Sequence, residues 1–344
     1  MKVCSWCAAK NAGDIIVVEP FRMLPPELAR KVKLSGKKTR QHYVFRHYLS
    51  AWAVNGTLWV RRRGAPKVFP AATEKVAAER HFYKLQPVTE PDVQLIRLLL
   101  LERVPFYVKE RCEVLIHNLT IPPLIKEVIN PTNPNLKEIS EWVDEYIINA
   151  EEDIQCDMES QLMKGLDDMM NGKTDFYSDD DAAQEFIHAI CFQYMRTKKL
   201  RAGIAALPFP PTVPGADMKR CSNLYMLISA MVVADTIYRR RKQFRIVLLD
   251  NTSKTPFIAG DQPIVNTHAT FREGIEPERL EFFYPLSPTR AMAFVDVSTK
   301  RPPVASEDEV ERFNEMMVWH SHEQVFSDSR EYLEGLPMDD TPTA

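Results

Sequence analysis

Few residues in this chain have the type and spacing for acid–base or metal chemistry. His42 and His47 lie five positions apart in Gln41-His42-Tyr43-Val44-Phe45-Arg46-His47-Tyr48-Leu49. At 3.6 residues per turn such a pair diverges by about 140° on a helix, so a regular helix cannot present both to one metal. His42 could act as a general base or a single metal ligand, helped by Glu79. It could equally be a hydrogen-bonded histidine buried in an aromatic-rich junction. Asp261 ends the apolar run Phe257-Ile258-Ala259-Gly260 and precedes Gln262-Pro263. A carboxylate at a strand end suits a metal ligand or a catalytic acid, and it also suits an Asp capping its own turn. Asp250 lies eleven positions earlier. If the two strands paired as a hairpin, both carboxylates could share a magnesium or manganese ion, although Lys254 completes no specific motif. Gln193 and Arg196 fall on one helical face at i, i+3 and could clamp a phosphate or carboxylate, with Arg46 as a further contact. The plainer expectation for Arg196 is a structural acid partner.

Other patterns are incomplete. Glu185-Phe186-Ile187-His188 is a single Glu-x-x-His unit, whereas a di-iron bundle needs two of them and two further glutamates. Cys4-Ser5-Trp6-Cys7 has the spacing of half a zinc site, but Cys112, Cys156, Cys191 and Cys221 supply no second pair. Basic runs occur at Arg61-Arg62-Arg63, just after Trp59, and at Arg239-Arg240-Arg241-Lys242. The first sets stacking beside charge, as single-stranded nucleic acid requires; a solvated element end explains either run as well.

The elements that would position these groups follow from periodicity and turn chemistry. Residues 1–38 are irregular and read as an N-terminal extension. Asn55-Gly56 between apolar runs is a hairpin signal, and Pro66 and Pro70 punctuate the connection after it. Residues 91–242 read as a helical insertion. Within it, Lys137 to Met170 repeats apolar residues at helical spacing, and Asn171-Gly172 marks its stop. Further helices are expected from about 180 to 199 and from about 219 to 242. After Lys242, runs at 244–249, 257–260, 280–284 and 290–295 are strand-like. A closing helix from about 306 to 324 takes Ser306 as N-cap, and the tail from 331 to 344 is expected to be disordered. The fold class is therefore α+β: an N-terminal hairpin, a helical block, and C-terminal antiparallel strands forming a sheet. Residues 39–330 make one domain.

A net charge of −3 gives no global field for nucleic acid, which leaves only local patches for that role. The longest apolar stretch, Leu224 to Tyr238, is short and contains Asp235, so a buried helix is expected and no membrane span. Scattered cysteines and the start Met1-Lys2-Val3-Cys4 lead to the expectation of a cytoplasmic protein.

Five segments resemble the domain-of-unknown-function family numbered 4238. They are Gln41-His42-Tyr43-Val44 with Ala77 to Tyr83; Phe192-Gln193-Tyr194-Met195-Arg196-Thr197; Pro256 to Val265; Tyr284-Pro285-Leu286-Ser287-Pro288-Thr289-Arg290-Ala291; and Asn314. Phe45 departs from the family's pattern, which places a proline after His-Tyr-Val. The resemblance implies a domain over roughly 40–326 and candidate polar positions, without a reaction. Since His42, Glu79, Asp261, Gln193 and Arg196 fall in those segments, two functions are expected. One is a metal-dependent hydrolase acting on phosphodiesters, in which His42, Glu79 and Asp261 do acid–base and metal chemistry while Gln193, Arg196 and Arg46 hold phosphate. The other is a non-catalytic binding or regulatory module that recognises nucleic acid through Trp59, Arg61, Arg62 and Arg63, or a protein partner.

Overall fold

The computed structural model describes residues 36–65, 67–129, 133–206, 213–269 and 277–338. The Cys4/Cys7 pair and almost all of the expected N-terminal extension lie outside them. Strand β1 (Arg40–His42) leads into the short helix α1 (Arg46–Leu49), then β2 (Thr57–Arg62), β3 (Val68–Ala72) and β4 (Ala78–Arg80). Asn55 and Gly56 take φ of 51° and 77° and close a tight turn, with Val54 N bonded to Thr57 O at 2.8 Å. The residues before that turn are helical, so the hairpin forms one step later, between β2 and β3. Pro70 fits there because β3 is an edge strand, where a missing N–H interrupts no ladder.

The helices follow: α2 (Glu90–Ile96), α3 (Phe106–Val128), α4 (Lys137–Met170), α5 (Asp180–Met195), α6 (Lys198–Ala206) and α7 (Met218–Arg239). Helix α4 matches its expected range and ends at Gly172, whose φ is 77°. The expected helix from 180 to 199 is broken: Arg196 and Thr197 separate α5 from α6 because both side chains turn to partners outside the helix. Helix α7 is long and apolar enough to cross a membrane, but 67% of that apolar window is buried inside the fold.

The chain then returns to strands: β5 (Phe244–Asn251), β6 (Ala259–Gly260), β7 (Val265–Asn266), β8 (Phe282–Ser287), β9 (Arg290–Asp296) and β10 (Val304–Ala305). Helix α8 (Glu307–His320), strand β11 (Gln324–Ser327) and helix α9 (Arg330–Gly335) complete it. Ser306 caps α8 with Glu309 in a capping box. Three sheets result, in the orders β1-β4, β10-β5-β9-β8-β7 and β3-β2-β11-β6; β10 pairs parallel and every other pair is antiparallel. The architecture is α+β. Beyond Ser329 the expected disorder is corrected: Leu333 is fully buried and Leu336 and Met338 pack beside it, so apolar spacing outweighs the polar composition as far as residue 338. Residues 339–344 lie outside the described segments.

Strand β11 ties the two ends of the chain together, since it lies between β2 from one and β6 from the other. The approach to α8 leaves no room at Gly260, where an added Cβ would run into Ser321 Oγ and lie 3.3 Å from Met317 Cε. Gly260→Ala is therefore expected to destabilise the protein by about 1–3 kcal/mol. Urea unfolding should show that loss, with part of it recovered in the Gly260→Ala/Ser321→Ala double variant.

Candidate functional site

An open cleft of about 460 Å³ lies where β1, β4, the end of β2 and the start of β11 meet. It is lined by Arg62, Arg63 and Lys75 together with Glu79 and Glu323, and by the buried Tyr43 and Gln324. Lys198, the first residue of α6, donates to Glu79 Oε1 at 2.5 Å and to Glu323 Oε1 at 2.6 Å. Two carboxylates thus share one ammonium. Gln324 is 5% exposed; its Nε2 donates to Tyr43 OH at 3.1 Å, while its Oε1 has no partner. That oxygen is sealed from solvent and is left unsatisfied beneath the cleft lining. Ala77, also in the wall, holds φ at 46°, a conformation costing a non-glycine residue of order 1–3 kcal/mol.

The cations around the cleft have different duties. Arg63 donates to Val318 O at 2.7 Å and Ser321 O at 3.3 Å, and Lys199 donates to Trp319 O at 2.5 Å. These are carbonyls at the C-terminal end of α8, where the helix dipole favours positive charge. Burial pushes the Lys199 ammonium down to about 8, with Arg63 adding repulsion. Burial also lowers the His322 imidazole, with Lys198, Lys199 and Arg63 adding to it and Glu323 opposing it. Arg62 and Lys75 are exposed. Arg62 lies 5.2 Å above the Phe69 ring, and no described carboxylate pairs with either residue.

The structure divides the residues singled out in the sequence. Glu79 lines the cleft, as do Arg62 and Arg63. His42 pairs with Ala78 while Gln41 pairs with Glu79, so strand alternation points His42 and Glu79 to opposite faces. His42 Nε2 lies 3.2 Å from Glu74 O, and burial lowers its pKa. Asp261 lies under the cleft floor, fully buried. Its Oδ1 accepts from His322 N at 2.6 Å; its Oδ2 accepts from Glu323 N at 2.7 Å and Gln324 N at 3.1 Å. Burial pushes this carboxyl up to about 6 against the pull of those three amides. A carboxylate ringed by N–H donors has the wrong surroundings for a cation. Among the described residues, no group of three or more His, Cys, Asp and Glu is arranged to hold a metal ion.

Asp250 does not approach Asp261 through a hairpin. Strand β5 pairs with β9 and β10, β6 pairs with β11, and Asp250 binds Arg290 Nε at 2.7 Å. Arg196 is buried and has the structural acid expected of it, Glu159 at 2.5 Å; it also donates to His42 O and Tyr43 O. Gln193 is 2% exposed, and neither atom of its amide has a partner among the described residues. Arg46 is exposed on α1. Arg61 donates to Leu333 O at 2.5 Å and Arg330 covers the Trp59 ring at 5.5 Å, so both face α9 while Arg62 and Arg63 face the cleft.

Sequence reasoning missed Lys75, Lys198, Glu323 and Gln324. The polar run Ser321-His322-Glu323 directly after the amphipathic helix α8 was the one local signal for this edge. Asp261→Asn would set an NH₂ against at least one of the three amide N–H groups. It should destabilise the protein by about 1–3 kcal/mol in urea unfolding. Glu79→Gln, at an exposed ion pair, should change stability by less than about 1 kcal/mol.

The family model described as protein of unknown function (DUF4238) matches residues 40–221 and 126–331, which together span all of the cleft. No curated protein and no solved structure matches the chain. With the family model covering most of its length, the chain belongs to the DUF4238 family.

Proposed function

We propose that the cleft over β4 and β11 binds a phosphate-bearing ligand of the nucleotide or single-stranded nucleic-acid class. The observation that carries this reading is the placement of Arg62 and Lys75. Both are exposed, neither has a described carboxylate partner, and both line the same cleft. A guanidinium and an ammonium suit phosphate oxygens, the first through paired donors and the second as a point charge. The phosphates of a nucleotide or of single-stranded nucleic acid supply the matching negative charge. The volume is within the range of small-ligand pockets.

A second reading, phosphodiester hydrolysis at the same cleft, draws on the two carboxylates held by Lys198. In it Glu79 takes the proton of an attacking water and Glu323 holds the ammonium in place. Glu79→Gln then abolishes turnover while binding persists; absence of turnover in the parent protein leaves binding as the function.

Binding is tested by fluorescence anisotropy of a labelled single-stranded oligonucleotide over a series of salt concentrations, with and without a chelator. Arg62→Ala and Lys75→Ala should each weaken binding and lower the slope of log affinity against log salt by about 1. Chelation should leave affinity unchanged. An affinity indifferent to both substitutions sinks the proposal.

A further inference from the structure

Inside the helical block a small cavity lies between α4, α5 and α7, away from the cleft, with room for about one water-sized group. Glu151 and Gln155 reach it from one face of α4, at i, i+4, and Asn223 reaches it from α7. Glu151 is 5% exposed and Gln155 is 2% exposed. Gln155 Oε1 and both amide atoms of Asn223, Oδ1 and Nδ2, have no partner, and no described residue donates a hydrogen bond to the Glu151 carboxyl. Buried polar groups in folded proteins are ordinarily satisfied, so three acceptor groups left open around one small space require an occupant.

The guanidinium groups in the wall do not supply it. Arg196 donates to His42 O, Tyr43 O and Glu159, and the Glu159 carboxylate balances its charge. Arg201 donates to Phe82 O at 2.5 Å and stacks on the Phe82 ring at 4.5 Å. The space is too small for an extended molecule. One carboxylate with two amide oxygens also matches a single positive charge better than a divalent ion, which collects more oxygens and more charge.

We propose that this cavity binds a water-sized monovalent cation through the Glu151 carboxylate and the amide oxygens of Gln155 and Asn223. The shared chemistry is that of potassium, ammonium or the ammonium head of a primary amine.

The test is the Tm of the full chain in potassium, ammonium, methylammonium and tetramethylammonium chloride at matched ionic strength. The smaller cations should raise Tm by a few degrees over tetramethylammonium, increasingly with concentration. The increment should vanish in Glu151→Gln. Stabilisation by potassium assigns an inorganic cation, whereas stabilisation by ammonium and methylammonium without potassium assigns an amine head. An equal Tm in every salt means that water alone fills the cavity, and overturns the proposal. A cation-specific increment that persists in both Glu151→Gln and Gln155→Met overturns it as well. Oligonucleotide binding at the cleft should be unchanged in Glu151→Gln, which keeps failure here separate from failure of the binding reading.

Discussion

One buried guanidinium fixes where the helical block meets the strands. Arg196 ends α5, crosses to the backbone of β1 at His42 O and Tyr43 O, and pairs with Glu159 on α4. Removing one partner of such a buried pair leaves an uncompensated charge, which costs about 3–5 kcal/mol. The next residue extends the junction. Thr197 donates to Gln262 Oε1, and Gln262 Nε2 donates to Tyr194 O at 3.1 Å and Ile264 O at 2.9 Å. Because α5 must stop for these contacts, α6 restarts in a new direction and carries Lys198 and Lys199 to the cleft. The charged groups of the candidate site are thus placed by a junction that takes no part in it.

The segments that resemble the family meet at this junction and along its edges. Arg196, Thr197 and Gln262 join there. Asn314 accepts from Ile258 N at 3.0 Å and donates to Pro256 O at 2.8 Å; Pro288 O accepts from Phe257 N at 2.9 Å. Asp261 closes the turn into β11 through three amides. Thr197 apart, whose hydroxyl bonds the Gln262 amide, each of these polar side chains satisfies backbone that has left its own helix or ladder, the task for which buried polar residues are most needed. A polar residue beside a strand end was therefore a sound pointer to this region and a poor guide to role. Asp261 has the type and position of a catalytic carboxylate and the partners of a structural one.

Legibility in the sequence tracked the range of the interaction responsible. Helix α4, the Gly172 stop, the Ser306 cap and strands β5, β8 and β9 follow from neighbours within a few residues, and the pattern places them closely. Strand β11 is four residues long, and its partners β2 and β6 are distant in sequence. Nothing local distinguishes it from the end of α8, so the expected helix ran on to 324. The break between α5 and α6 was invisible for the same reason. Among candidate site residues, Glu79 was recovered because it lies in the segment Ala77 to Tyr83 that resembles the family. Lys198 and Glu323 were not, since only the long-range placement of α6 and β11 makes them neighbours.

The cleft owes its sign to how its cations are used. Arg63 and Lys199 are spent on the last carbonyls of α8, and Lys198 on two carboxylates. Each of these positive charges is held in position by the fold. Arg62 and Lys75 are the pair left facing solvent without such anchors, at the end of a strand and beside a backbone bent through left-handed Ala77. An anion entering between them meets donors whose neighbours are already fixed, so little reorganisation opposes binding.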